Sequence, residues 1–340
     1  MTRKYVTAGD ASSAGRVRRL SVLAAALVLG SALLTACTSA PAPAQTTASA
    51  AAHKPFRLGF SPLSLGIPEL QSTATALTKA GAAQGITVSV QDPKFSPQLQ
   101  ITQLMQWISL KQVDAIWVVP VAPPSLAPVI SAAQAAKIPI LIDATAQSVG
   151  MKGPGAGLSF SATDFAAFGK DLGEVTNACI ASRLGGDGKI IYLKDTTGHA
   201  GGPVMDAELT KTIASGSASS SVVSTIAPAS QLLAQQQTQS ALQGQPDANT
   251  AMATNDEAAL GALSAFEEAG KDPLKLCIVG GGGSPQGLAD IKSGKLYGGV
   301  VFDFKADTEN NIREVAKMVA DPTAVGSSLI IPIVVYQPKK

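Results

Sequence analysis

Short apolar runs alternate with longer amphipathic segments over the first part of the chain. The runs predict strands at residues 55–62, 86–90, 115–121 and 139–143. The segments between them predict helices at residues 68–84, 99–112 and 126–137. Strands of about four to eight residues that alternate with helices of about ten to fifteen are typical of a parallel sheet covered on both faces.

A second series of the same kind follows. It predicts helices at residues 164–183, 204–215 and 231–244 and strands at residues 189–193 and 221–226. Two successive series indicate an α/β fold of two doubly wound parallel-sheet lobes. Ligands of such sheets bind beyond the carboxyl ends of the strands, so the cleft between the lobes is the predicted site.

The stretch 255–303 carries the densest pattern. Leu260, Leu263 and Phe266 follow a helical period behind Asn255, and Gly270 is typical of a helix end. The apolar run 276–279 then enters four glycines, and a further helical segment leads to the apolar run 300–302. The glycines belong to neither G-x-G-x-x-G nor G-K-[ST], so they indicate a tight strand-to-helix turn rather than a phosphate site.

Composition supports a folded protein. Hydrophobic residues make up 46% of 340 residues and charged residues 15%, which excludes general disorder and allows a sizeable core. The formal net charge of +2 arises from the N-terminal segment, because 21 basic and 23 acidic residues follow Ala36. A balance so close to neutral, without a basic cluster, argues against nucleic acid as a partner.

The N-terminal segment is typical of a signal peptide. Arg18 and Arg19 precede an apolar run at residues 20–34, which is too short for a membrane span of about 20 residues. Leu-Thr-Ala-Cys at 34–37 resembles a bacterial lipobox, which predicts cleavage after residue 36 and lipidation of Cys37. An ordinary cleavage site beside an incidental cysteine is the alternative, and the arginine pair also permits twin-arginine export. Residues 37–53, rich in Ala, Pro, Ser and Thr, predict a flexible tether.

Three long segments carry a family resemblance. They read NDEAALGALSAFEEAGK, IVGGGGSPQGLADIKSGKLYGGV and VDAIWVVPVAPPSLAPVISAAQAAKIPILIDA. In sequence and spacing they resemble the periplasmic sugar-binding proteins of the ribose-binding type, which feed ABC importers; the likeness spans roughly residues 56–338. The resemblance implies a type I periplasmic-binding-protein fold with three crossing strands. Lobe 1 then comprises residues 54–158 and 304–324, and lobe 2 comprises residues 159–303 and 325–340.

The resemblance also implies ligand contacts. Asp143 stands at the family's sugar-binding carboxylate and Asn255 at its asparagine, although a residue at a strand end also often caps a helix. Ala144 replaces the family's arginine, and Gly282 replaces a ligand-binding aspartate. Met205 lies near the position of a second arginine.

Further departures concern the aromatic groups that stack on a sugar ring. Glu69 and Leu70 replace the family's aromatic pair, and Gln231 lies near another aromatic position. Phe302 replaces the glutamine of a crossing strand and is either a stacking platform for the ligand or packing at the hinge. His199 is either a ligand contact or a loop residue; with a single histidine in the folded body, it gives no basis for a metal site.

The departures predict the ligand class. Without arginine at residues 144 and 205, a buried site cannot pair an anion through two hydrogen bonds. The remaining candidates suit a neutral sugar-like or polyol ligand, or a cation: Glu69, Asp143, Gln231, Asn255, His199 and Phe302.

The other cysteines and the tryptophans are assigned to structural roles. Cys179 lies on the helix 164–183 and Cys277 on the strand before the glycines, and a disulfide between them is one option that sequence alone leaves open. Trp107 and Trp117 lie within helical and buried-strand patterns, which predicts core positions.

Together these observations predict an exported solute-binding lipoprotein of an ABC importer. We expect a monomer anchored to the outer face of the cytoplasmic membrane, with a small-molecule ligand and a membrane permease as partners and no cofactor. No catalytic constellation stands out, so we predict no enzymatic activity. The alternatives are a receptor on the same fold that signals to a membrane sensor, and a binder of a non-sugar, cationic small molecule.

Overall fold

The computed structural model describes residues 4–7, 54–194 and 201–337, with the side chains of residues 4–7, 68 and 69 left out of the description. The helices are α1 Pro68–Ala82, α2 Pro97–Ser109, α3 Ala127–Ala136, α4 Phe165–Arg183, α5 Gly202–Ala214, α6 Gln231–Gly244, α7 Asp256–Glu268, α8 Pro285–Ser293 and α9 Phe304–Ala320. The strands are β1 Lys4–Thr7, β2 Phe56–Ser61, β3 Ile86–Val90, β4 Ala115–Val118, β5 Ile140–Asp143, β6 Leu158–Ala162, β7 Lys189–Leu193, β8 Ser221–Ile226, β9 Thr250–Ala253, β10 Cys277–Gly282, β11 Gly298–Phe302, β12 Ser328–Ile330 and β13 Ile333–Gln337.

The strands of the described residues form two sheets. Lobe 1 contains a parallel sheet in the order β12-β6-β5-β4-β2-β3, with α2 and α3 packed on one face and α1 and α9 on the other. Lobe 2 contains a sheet in the order β1-β13-β11-β10-β9-β7-β8, in which β13 runs antiparallel to β11. Helices α4 and α5 cover one face of this sheet, and α6 and α7 cover the other. The predicted two-lobed, doubly wound α/β architecture is confirmed.

The lobe boundaries differ from the predicted ones. Strands β6 and β12 pair with each other in the sheet of lobe 1, so the crossings fall after Ala162 and after Ile330, rather than after residues 158 and 324. The third crossing leads from β11 to α9 at Asp303. The pairing of β6 with β12 joins segments that are far apart in the sequence, so no local pattern indicates it.

The crossing segments are hydrogen-bonded to one another. The Ile331 N–H donates to Ala162 O at 3.0 Å, and the Asp303 N–H donates to Pro332 O at 2.9 Å. Asp164 and Asp303 each cap the helix that follows a crossing, α4 or α9, by accepting a hydrogen bond from the first turn. The hinge is therefore a narrow bundle of single chain segments with helices anchored on either side.

Both cores are closely packed. Trp107 and Trp117 are buried in lobe 1, as predicted. In lobe 2, α4 lies so close to α5 that a β-carbon on Gly169 would sit 2.3 Å from Met205 O. Glycine is needed at this contact because any side chain would push the helices apart.

Cys179 on α4 and Cys277 on β10 form a disulfide, the option proposed from the sequence. Their Cα atoms are 5.6 Å apart, which is within the usual range for a disulfide, and both residues are fully buried. The bond fastens α4 to the centre of the lobe 2 sheet.

The predicted signal sequence is described only at β1, which pairs in parallel with β13 from Lys4↔Val334 to Thr7↔Gln337. The predicted lipidation site Cys37 and the tether 37–53 lie outside the described residues. Among the described residues, no helix combines the length and apolar character that crossing a membrane requires.

Candidate ligand-binding cleft

The carboxyl ends of both sheets border the space between the lobes. Ala162 ends β6 and Phe302 ends β11, and each strand leads directly into a crossing segment. The neighbouring parallel strands end at the same edge, so Asp143 of β5 lies on the lobe 1 side and Ala253 of β9 on the lobe 2 side. The carboxyl-terminal strand ends of both sheets therefore border the cleft predicted from strand alternation.

Gln100 on α2 holds the lobe 1 wall together. Its side chain is buried, and its amide nitrogen donates to Ser61 Oγ at 3.1 Å, Pro62 O at 3.2 Å and Val119 O at 3.0 Å. Its amide oxygen accepts a hydrogen bond from the Val121 N–H at 2.8 Å. The loops after β2 and β4 are therefore fixed to each other. The sequence gives one signal for this residue, a glutamine inside the apolar face of a helix.

Asp143 occupies the predicted position at the end of β5. The residue is half-buried, and its Oδ1 atom is buried without a hydrogen-bond partner among the described residues. Burial raises the pKa of Asp143 well above its ordinary value, and the nearby charge of Asp307 raises it further. The indole N–H of Trp117 acts in the opposite direction, although it completes no hydrogen bond.

Asp307, on the first turns of α9, is a site residue that the sequence reasoning missed. It is buried against the lobe 1 sheet, where its carboxylate accepts hydrogen bonds from Ser161 Oγ at 3.5 Å and Asn311 Nδ2 at 3.2 Å. Burial raises the pKa of Asp307 to about 6; the two hydrogen bonds lower it in part, and the charge of Asp303 adds to the rise. Two acidic side chains therefore lie near the same end of this sheet.

On the lobe 2 side, Asn255 caps α7, because its Oδ1 accepts a hydrogen bond from the Ala258 N–H at 2.8 Å. The cap occupies the side-chain oxygen. The amide nitrogen, which has no hydrogen-bond partner among the described residues, is the atom that can meet a ligand. The ligand contact predicted for Asn255 thus stays a prediction, and in it the Asn255 amide nitrogen donates the hydrogen bond to the ligand.

The glycine turn is shaped by the backbone and by Asp256. Gly282 has φ +128° and Gly283 has φ +102°, values that side-chain-bearing residues rarely adopt. The Asp256 carboxylate accepts hydrogen bonds from the N–H groups of Gly283, at 2.8 Å, and Ser284. Burial is the main cause of the raised pKa of Asp256, and these backbone hydrogen bonds offset part of the rise. Gly282 therefore lies in a turn whose backbone conformation favours glycine and whose following N–H groups are bound by Asp256.

Phe302 packs at the hinge. Its ring stacks on Phe168 of α4 at a centroid distance of 5.3 Å and contacts Phe304 of α9 at 5.7 Å. Phe168 belongs to lobe 2, whereas α9 packs on lobe 1, so the half-buried ring of Phe302 bridges the two. The contacts match the hinge-packing alternative; stacking on a ligand remains a prediction for the exposed part of the ring.

The remaining predicted binding residues are Gln231, His199 and Glu69. Gln231 begins α6 and is exposed. His199 and the side chain of Glu69 lie outside the described residues. Met205 is buried in the lobe 2 core beside Phe168, so its position offers the cleft no polar group.

Lys194 is a cation at this edge that the sequence reasoning missed. It directly follows β7, and its Nζ lies 3.3 Å from a carboxylate oxygen of Asp206. Tyr192 donates its hydroxyl hydrogen bond to the same carboxylate. The positive charge of Lys194 is therefore already paired.

A cavity of about 670 Å³ borders both lobes. It is mainly apolar, runs between α1 and α9, and reaches Gly283 and Pro285 of lobe 2. None of the predicted binding residues whose side chains the structure describes lines it.

Comparisons with known proteins agree with this architecture. Residues 58–320 match the family model described as periplasmic binding protein domain. The ribose import binding protein of Bacillus subtilis (strain 168) is 27% identical over 277 residues, covering 79% of this chain and 84% of that protein.

Solved structures show the same fold. An ABC transporter solute-binding protein from Actinobacillus succinogenes 130z with bound D-allose has a TM-score of 0.69 and 22% identity, covering 84% of this chain and 98% of its own. One from Bacillus halodurans C-125 with bound myo-inositol has a TM-score of 0.66 and 21% identity, covering 84% and 96%. A Mycobacterium smegmatis protein in complex with β-D-fucofuranose has a TM-score of 0.66 and 23% identity, covering 83% and 91%.

Two lobes with parallel sheets, a hinge of crossing segments at their carboxyl ends and a family match over most of the folded body all lead to one assignment. The chain belongs to the periplasmic binding protein family.

Proposed function

We propose that this protein is the solute-binding component of an ABC importer and that it holds a small, neutral sugar-like or polyol ligand between its lobes. The observation that carries the ligand class is the pair of acidic side chains at the cleft end of lobe 1, Asp143 and Asp307. The relatives support the class of solute, since D-allose, myo-inositol and β-D-fucofuranose are all uncharged polyhydroxy compounds.

Electrostatics disfavours an anionic ligand. An anion in the cleft would lie near the acidic pair, and burying an unpaired charge costs several kcal/mol. Lys194 is already paired with Asp206, and Ala144 and Met205 supply no positive group. Sugar phosphates and sugar acids are therefore poor ligands for this site.

Hydrogen-bonding groups at the cleft suit hydroxyl groups. The Asp143 carboxyl and the Asn255 amide nitrogen come from opposite lobes, so one ligand that contacts both draws the lobes together. Because the crossing segments beside Asp303 join the lobes within residues 54–337, such closure takes place about a narrow hinge. The closed form is the state that a membrane permease recognises.

Export and anchoring extend this proposal. The predicted signal sequence, the lipobox ending at Cys37 and the tether support a position of the binding body on the outer face of the cytoplasmic membrane, next to the permease. The Cys179–Cys277 disulfide suits an oxidising compartment. The protein acts as a binder and carries out no chemical conversion of its ligand.

The proposal is tested by purifying a tagged form that begins at Lys54 and identifying its bound small molecule by mass spectrometry. We expect a neutral polyhydroxy compound, and uptake of that compound is lost when the gene is deleted. A phosphorylated or acidic compound contradicts the ligand class. Unchanged uptake of the bound compound contradicts import and favours a receptor that signals to a membrane sensor.

A further inference from the structure

A buried polar layer lies between α9 and the lobe 1 sheet. Its first part, away from the cleft, is fully paired: Ser159 Oγ donates to the Glu314 carboxylate at 2.8 Å and accepts from the Ser327 N–H at 2.9 Å. Glu314 also lies 3.6 Å from the exposed Lys317. This half of the layer therefore has both a hydrogen-bond partner and a countercharge for its acid.

The half next to the cleft is built differently. Asp143 pairs with Ser161 across neighbouring strands, and Ser161 Oγ donates to the Asp307 carboxylate on the helix above. Ser161 thus lies next to both acids. The charged groups facing them are Asp303, one turn earlier on α9, and Glu314, further along it; β4 contributes the neutral Trp117 and β6 the neutral Ser159. Among the described residues, no cation pairs with Asp143 or Asp307.

Three buried polar atoms in this half lack a hydrogen-bond partner among the described residues: Asp143 Oδ1, Asn311 Oδ1 and Trp117 Nε1. Two of them are acceptors. Since ionised carboxylates only accept, two charged acids cannot bond each other and leave Asp143 Oδ1 without a partner, whereas a proton on Asp143 makes this carboxyl a donor. Neighbouring acids in a poorly solvated site cannot both ionise without a large penalty. The hydrogen-bond donors around the pair therefore leave one acceptor, Asp143 Oδ1, at which a proton can be held.

We propose that Asp307 is a positioning residue for ligand binding that keeps one proton on the Asp143–Asp307 pair, so that Asp143 presents a neutral carboxyl group to the cleft. This inference rests on the proposed function, because it assigns the chemical state in which Asp143 meets the ligand. Asp307 lies outside the predicted set of binding residues. It acts on the ligand through Asp143, from helix α9, which packs on the lobe 1 sheet.

The protonated state narrows the ligand class. A carboxylic acid can both donate to and accept from one hydroxyl group, as a polyol requires, and it carries no charge to attract an ammonium group. A cation could bind only by expelling the proton. The pair thereby favours neutral solutes over both anions and cations.

The test is a carboxyl titration by ¹³C NMR of ligand-free protein labelled at aspartate. Asp143→Asn and Asp307→Asn each remove one signal and so assign the pair. In the wild type we expect an Asp307 midpoint of about 6 and an Asp143 midpoint well above its ordinary value. In Asp307→Asn the Asp143 midpoint falls, because the neighbouring charge is gone.

Asp321→Asn is the matched control, since Asp321 is an exposed acid just beyond α9 that accepts hydrogen bonds from Thr323. It leaves both midpoints unchanged. If Asp307→Asn fails to fold, the two wild-type midpoints and an Asp307 midpoint that stays at about 6 in Asp143→Asn decide the question, because that variant replaces a neutral acid with a neutral amide. The inference is overturned if both signals titrate in the ordinary aspartate range, or if the Asp143 midpoint is the same in the wild type and in Asp307→Asn. Either failure leaves the importer proposal intact, because bound-ligand identity and uptake test that proposal separately.

Discussion

Removing the Cys179–Cys277 disulfide should destabilise lobe 2 selectively. The perturbation is the double replacement Cys179→Ala and Cys277→Ala. The bond joins residues separated by 98 positions, and in the chain-entropy model a loop of this size restricts the unfolded chain by about 4.7 kcal/mol. Measured losses for native disulfides are commonly about 2–5 kcal/mol, so we expect a loss of that order in the free energy of unfolding.

The two lobes offer separate probes for this loss. Trp107 and Trp117 are the only tryptophans of the chain, and both are buried in lobe 1, whereas the disulfide lies in lobe 2. Urea unfolding followed by tryptophan fluorescence therefore reports lobe 1, and circular dichroism reports both lobes. In the variant, part of the dichroism transition should move to lower urea, while the fluorescence transition shifts less.

Reductant supplies the control. Both cysteines are fully buried, so a mild reductant should leave the bond of the native wild type intact and act only during unfolding. The alanine variant should unfold identically with and without reductant. A variant whose dichroism transition coincides with that of the oxidised wild type, or a fluorescence transition that shifts as far as the dichroism, refutes the reasoning.

Three further predictions follow from the cleft and the hinge. Gly282→Asp should destabilise the protein by about 1–3 kcal/mol, because residue 282 has a positive φ. The loss should exceed that of Gly282→Asn, because the new carboxylate would approach Asp256. Urea unfolding of both variants measures the difference, and equal stabilities contradict it. Asp307 has a folded pKa of about 6, above an unfolded value of about 3.9, so its stabilising contribution is complete below pH of about 4 and is lost as the pH rises through 6. Asp307→Asn should therefore gain stability relative to the wild type at pH 8, by as much as about 3 kcal/mol, and lose this advantage at pH 4; a pH-independent difference contradicts the titration. Phe302→Ala should lower the unfolding free energy by about 1–3 kcal/mol because it removes two ring contacts, whereas Phe95→Ala, at a ring that is 56% exposed, should change it little.

Much of the fold was predictable because its strands and helices are locally encoded. The strands Ile86–Val90, Lys189–Leu193 and Ser221–Ile226 have the predicted bounds, since each is a β-branched or apolar run with polar or glycine neighbours. Strand β9, Thr250–Ala253, was missed because its sequence TAMA contains a single β-branched residue. Tertiary pairing with β7 and β10, rather than propensity, makes it a strand.

Helix α9 shows why the site was harder to predict. Its buried face includes Asp307, Asn311 and Glu314, polar side chains that break the apolar period expected of a covered helix. Their partners Ser159 and Ser161 lie about 150 positions earlier, at sequence separations of 155 and 146 for the bonded pairs. A polar layer of this kind is specified by contacts across the fold, and single-sequence periodicity has no access to it.

The candidate binding residues also differ in whether local sequence or tertiary contacts determine their positions. Asp143 could be placed from its position at a strand end within a resembling segment. The turn at Gly282 could not, because its backbone conformation and the role of Asp256 depend on the approach of α7 to the glycine loop. The sequence indicates a missing side chain there but not the backbone conformation of the turn.

The central claim is that the cleft binds neutral polyhydroxy solutes. Its most direct test is thermal unfolding of the form beginning at Lys54 in the presence of neutral sugars, polyols, amines and sugar acids, each at a single high concentration. A ligand present at about 100 times its Kd stabilises the folded state by about 2.7 kcal/mol, which raises Tm measurably. We predict that at least one neutral sugar or polyol raises Tm and that sugar acids and amines do not; stabilisation by sugar acids alone would contradict the account.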